Sequence, residues 1–203
     1  MNKIKFIAEV GVNHLGFENK AEIYCKSLAS SHVDAVTFQI REKAFYDQSE
    51  SWKSQLSDKC YINCKEILNK YNKDFGIALG DIQTAKICSN LRPDFWKVLS
   101  WGIKDISLIE KSSQIFGSQS LVVSIDVKKI KGVYEVFIDS GKTSTGIHPV
   151  DLALKSEKNG AGEILINSID QDGMKLGYDL RLVQLVSEAV SIPVIRKDFI
   201  IKP

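Results

Sequence analysis

Asp126 ends the run LVVSIDV at residues 121–127. A carboxylate just past the apolar part of a buried strand stands at the rim of a parallel-sheet enzyme, where protons are moved. Its plainer role is to cap the loop that follows. Further on, SIDQDGMKLGYD carries Asp172-Gly173 and then Gly177. Backbone of that kind can approach a phosphate closely, or can simply form a glycine-rich turn. A third charged rim follows the apolar run 192–195, where Arg196, Lys197 and Asp198 stand together. Arg196 and Lys197 offer charge to a phosphate. Cys60 and Cys64 lie four apart on an expected helix and could present two thiolates on one face. No second pair at ligand spacing accompanies them, and His14, His32 and His148 are isolated. No metal site is expected, and Cys25, Cys60, Cys64 and Cys88 read as buried free thiols of a reducing cytoplasm.

Alternating elements must position these groups. Strands are expected at residues 5–10, 35–40, 75–79, 95–99, 121–127, 163–169 and 192–195. Helices are expected at 18–30, 57–71, 82–91, 104–116, 149–158 and 179–190, with Asp81, Asp105 and Asp179 at their starts and Gly117 ending one. The stripe Cys60, Cys64, Ile67, Leu68 and Tyr71 should be the buried face of the second helix. VYEVFI, 133–138, alternates and reads as an exposed hairpin arm, with a turn at 141–146. Near-continuous apolar strands alternating with helices define an α/β fold with a parallel sheet. The expectation is one domain, 1–203: a TIM-type (βα)8 barrel, incomplete, with seven core strands and the eighth missing.

Composition narrows the partners. The chain has 203 residues, 44% hydrophobic and 26% charged, with a net charge of +2. Lys and Arg are scattered rather than striped, so nucleic acid is not indicated. No apolar run has membrane-spanning length, and the N-terminus enters a strand without a signal-peptide pattern. A cytoplasmic protein is expected.

Residues 104–193 resemble the cyclase subunit of imidazole glycerol phosphate synthase. The stretches that carry the resemblance are IFGSQSLVVSIDVKK (115–129), GAGEILINSIDQDGMKLGYD (160–179) and VSEAVSIPVI (186–195). INSIDQDG is most similar to the variant found near bacterial surface-polysaccharide genes. The resemblance implies a lyase-type, ammonia-dependent ring closure on a phosphorylated aminoimidazole precursor, as in histidine biosynthesis, with no cofactor. It implies acid–base work for Asp126 and substrate contact for Asn167, Ser168, Asp172 and Gly173. The family's second aspartate falls near Gly11, where the nearby carboxylate is Glu9. Met174 stands where the family commonly has threonine. The family admits ammonia from a glutaminase subunit through a ring of charges, which Lys5, Asp34, Lys97 and Glu163 would form here. Alternatively, each is a solvated charge at a strand start.

Residues 4–101 resemble the sialic acid synthase family, on IAEVGVNHLG (7–16), DAVTFQI (34–40) and FGIALGDIQTAKICSNLRPDFWKVLSW (75–101). That resemblance implies condensation of phosphoenolpyruvate with an amino sugar, with Glu9, Asn13, His14 and Gln39 at the rim. Thr37 replaces the family's lysine, and the later metal-binding histidines are missing. IPVIRKDFI (192–200) resembles the third-strand signature of indole glycerol phosphate synthase, with Lys197 at its general-acid position. Taken together the chain reads as a recombined barrel in parts 1–103, 104–193 and 194–203. Its cyclase activity is expected to be weak or absent, and a natural or designed scaffold without catalysis is the further alternative. Unpaired edge strands would favour a homodimer.

Overall fold

The computed structural model describes residues 6–47, 55–172, 174, 177 and 179–196. The chain divides into two compact units, Met1–Lys97 and Val98–Pro203.

The first unit is built on the strands β1 (Ile7–Gly11), β2 (Ala35–Gln39), β3 (Asp74–Leu79) and β4 (Phe95–Val98), in that order. β1–β2 and β2–β3 pair in parallel, so each connection carries the chain back across the sheet. Helix α1 (Glu18–Ala29) joins β1 to β2. A short α2 (Lys43–Tyr46) and then α3 (Asp58–Asn69) join β2 to β3, and α4 (Ile82–Ile87) precedes β4. The caps are local: the Ser57 side chain accepts the Cys60 N–H at 3.2 Å, and Asp81 accepts the Thr84 N–H at 2.8 Å.

Side-chain alternation along the strands sorts the faces. Phe38 and Phe75 turn towards the helices, and Phe38 meets Tyr61 of α3 edge-on at 5.8 Å. Glu9, Thr37 and Gly76 are register partners and share the opposite face. The Phe95 ring lies directly over Gly76, where a Cβ would come within 2.3 Å of the ring. Beyond Glu9 the register slips, and Gly11 takes φ +57°, which bends the strand end into the following loop.

The second unit centres on β5 (Leu121–Ile130), preceded by α5 (Ile106–Phe116). After it come β6 (Val133–Ile138), the short β7 (Thr143–Ser144), α6 (Pro149–Lys158), β8 (Glu163–Ser168), α7 (Leu180–Ser187) and β9 (Val194–Arg196). Residues 122–127 of β5 pair in parallel with 163–168 of β8. β5 then runs on past this ladder and folds back antiparallel on β6 from Asp126 to Ile130. β8 pairs in parallel with β9. Asp105 and Asp179 cap α5 and α7 as expected, accepting the Ser107 and Leu182 N–H groups at 3.0 Å each.

Two expectations are corrected. The hairpin arm β6 is mostly buried: Val136, Phe137 and Ile138 are 0, 7 and 3% exposed, because α6 packs against it. Tyr71 is exposed, since α3 ends at Asn69 and leaves it past the cap, while Tyr61 takes the buried place beside Cys60, Cys64 and Leu68. All four cysteines are buried and free.

Gly76→Ala should lower stability by about 1–3 kcal/mol, because its Cβ would overlap the Phe95 ring unless the ring shifts. Thermal unfolding of the variant checks this, and an unchanged melt would mean that the ring is not tightly held.

Candidate functional site

Asp126 is half-buried near the point where the β5–β8 ladder gives way to the hairpin. The register sets it beside Asn167, whose Nδ2 donates to Asp126 Oδ1 at 3.0 Å. The carboxylate fixes the amide orientation, so Asn167 Oδ1 is the free acceptor, and it is buried without a partner among the described residues. Ser168 ends β8, and its carbonyl accepts the N–H groups of Gln171 and Asp172 at 3.1 and 3.0 Å. This turns the chain sharply behind Asn167. Asp172 Oδ1 is likewise buried without a partner among the described residues. Gly177 has φ +86°, a conformation that suits glycine, and Met174 is exposed. A carboxylate, an amide acceptor and a tight turn thus meet near the end of the parallel β5–β8 ladder.

The first unit holds a second polar cluster. Lys97 Nζ lies 2.9 Å from Glu9 Oε2, with Lys97 2% and Glu9 17% exposed. β1 and β4 are separated by β2 and β3, so the pair closes only if the sheet curves strongly. Gly76 and the fully buried Thr37 share the face it crosses. Glu9 had been expected at a catalytic rim and Lys97 at a strand start; instead they bind each other, and Lys97 is the third residue of β4. The expectations missed the pairing because sequence fixes the face of each residue but not how strongly the sheet curls.

The other candidates fall in separate places. Gln39 is the half-buried last residue of β2. Asp34 sits before β2 and accepts the Phe6 N–H at 2.9 Å, and Glu163 is the half-buried first residue of β8. Asn13 is exposed in the turn after β1. His14 is not a rim residue: it is fully buried, packs 6.1 Å from the Phe38 ring and accepts the Gly16 N–H on Nδ1 at 3.1 Å. Burial pulls its pKa down to about 4. His148 caps α6. Lys5, Gly173 and Lys197 lie outside the described residues, as does most of the tail resembling indole glycerol phosphate synthase. Among the described residues no group of three His, Cys, Asp or Glu could hold a metal, and no helix is long and apolar enough to cross a membrane.

Parallel strands alternating with helices, and polar groups at the C-terminal ends of strands, define a barrel-type α/β protein. The histidine biosynthesis protein family model matches residues 61–196, and the chain belongs to that family. It is 50% identical over 93 residues to imidazole glycerol phosphate synthase subunit HisF of Sulfolobus acidocaldarius, covering 46% of this chain and 37% of the relative. Against the same subunit of Clostridium botulinum it is 52% identical over 100 residues, covering 48% of this chain and 40% of the relative. The match thus spans about two fifths of these curated relatives' length. Among solved structures, the N-acetylneuraminic acid (sialic acid) synthetase of Leptospira borgpetersenii, crystallised with citrate, aligns with a TM-score of 0.71 at 19% identity. It covers 97% of this chain and 65% of that one, a likeness of fold.

Lys97→Met should cost about 3–5 kcal/mol by removing the cation that Glu9 meets at 2.9 Å, and adding Glu9→Gln should recover part of the loss. Chemical denaturation of the single and double variants tests the pair, and additive losses would contradict it. His14 gives a pH signature. Its unfolded pKa is 6.5 and its folded value about 4, so between these the unfolded chain binds more protons. The neutral side chain's contribution is complete above pH 6.5 and is lost as pH falls towards 4. The loss should approach about 3 kcal/mol. A His14→Gln variant should show a flatter stability profile across that window; an equal slope would place the titration elsewhere.

Proposed function

We propose that the chain is a cyclase-type barrel that performs ammonia-dependent ring closure on a phosphorylated aminoimidazole precursor, and does so slowly. The observation that carries this reading is the Asp126–Asn167 contact near the end of the parallel β5–β8 ladder. Ring closure needs a proton moved on and off nitrogen and oxygen, and Asp126 is the carboxylate suited to it. Asn167 holds that carboxylate in place and turns its own carbonyl towards a donor on the substrate. Ser168 and the glycines that follow Asp172 would meet the phosphate through backbone N–H groups. Ammonia would come from solution or from a glutaminase subunit. The turnover is slow because groups that act together lose far more than their share when one is absent. Near the position of the family's second aspartate stands Glu9, whose carboxylate is bound to Lys97.

The buried Glu9–Lys97 pair favours one second reading, a condensation of phosphoenolpyruvate with an amino sugar centred on the first unit. Thr37, in place of a lysine, weakens it.

Asp126→Asn keeps the shape and the Asn167 contact but removes the base. Under saturating ammonium salt its rate of ring closure should fall at least about 100-fold. An unchanged rate would remove Asp126 from the chemistry.

A further inference from the structure

Beyond its ladder with β8, β5 continues into a hairpin that the proposed chemistry does not use. One rung of that hairpin holds both ends of the segment between β8 and α7. Lys129 and Tyr134 are direct register partners across β5 and β6. The backbone N–H of Lys129 donates to Asp170 Oδ2 at 2.8 Å, just past the end of β8. The Tyr134 hydroxyl donates to Asp179, 3.0 Å from each carboxylate oxygen, just before α7. Asp179 Oδ1 also accepts the Leu182 N–H, so the carboxylate that Tyr134 holds is the cap of α7. The Lys129 ammonium lies 5.0 Å from the centre of the Tyr134 ring, and Tyr134 is only 7% exposed. A tie from one rigid rung to each end of a segment fixes where the segment starts, where it stops and how its helix is aimed.

We propose that Tyr134 is a positioning residue: through Asp179, and together with the Lys129–Asp170 tie, it holds the two ends of the β8–α7 connection so that the segment can bind phosphate. This rests on the reading that the segment contacts the substrate's phosphate. Tyr134 acts only through Asp179 and touches no reacting atom. The two ties are unequal in kind. The Asp170 tie uses a backbone donor, which no side-chain change at 129 removes, whereas the Asp179 tie depends on one hydroxyl. On the hairpin side, the hydroxyl at 134 is therefore the point of the device that a side-chain change can remove.

The test uses the full chain, with inorganic phosphate as the probe, and follows backbone amide signals and their hydrogen exchange. Tyr134→Phe removes only the hydroxyl. Exchange at Leu180 to Val183 should quicken about tenfold and phosphate affinity should fall by a similar factor, in line with one lost charge-assisted hydrogen bond. Asp179→Ser is the second variant. Serine still caps α7 but is too short to reach Tyr134, so it guards against a phenylalanine variant that folds poorly. Its phosphate affinity should fall likewise while the helix persists. Wild-type affinity in a folded Tyr134→Phe or Asp179→Ser protein would overturn the proposal. If the unaltered protein binds no phosphate, the phosphate reading of the segment fails, and exchange still judges the rung. Faster exchange in Tyr134→Phe at both Gln171 and Leu180–Val183 would uphold it as the holder of the segment. Faster exchange at the α7 turn alone would reduce it to a helix-cap contact and overturn it.

Discussion

A single backbone ladder, residues 122–127 of β5 against 163–168 of β8, positions the candidate site of the second unit. Most of its side chains are apolar and buried, so its register is strongly specified: a slip of one residue would turn the core set to the wrong face. That register sets Asp126 against Asn167. The same ladder runs out at Val127 and Ser168, which releases β5 into its hairpin and β8 into the turn behind the site. Carboxylate, amide acceptor and turn are thus consequences of one pairing.

The first unit solves a different problem. Its sheet brings a lysine and a glutamate together across strands that are not neighbours. The curl needed for this is made possible where side chains are small: Gly76 leaves space for Phe95, and Gly11 bends the end of β1. Burying two charges is costly unless they meet, so the pair ties the register of β1 to that of β4. The face that Glu9 and Lys97 share thus holds an ion pair.

Much of the scaffold was legible because the signals are local. Ser57, Asp81, Asp105 and Asp179 cap helices through side chains that act within a turn, and the strands of both units are bounded by Gly, Asp or Ser. Asp126 was expected at a strand end, yet β5 runs on to Ile130 because it pairs with β6. What was not legible depends on contacts distant in sequence. His14 looks like a rim ligand by position, yet packing against Phe38 makes it a neutral core residue. VYEVFI alternates as a half-exposed arm would, but α6 covers it. Tyr134 carries no motif at all, and its role emerges only when β6 and the cap of α7 are brought together.

The central claim is that the Asp126–Asn167 corner and the segment after β8 form one phosphate-substrate site. The most direct measurement is a titration of the protein with imidazole glycerol phosphate, followed through the Asn167 side-chain amide and the backbone amides of residues 170–179. The account predicts that these signals move together along one binding curve while Lys97 and Glu9 stay still. Movement at Lys97 and Glu9, with Asn167 unmoved, would contradict it and put the ligand in the first unit.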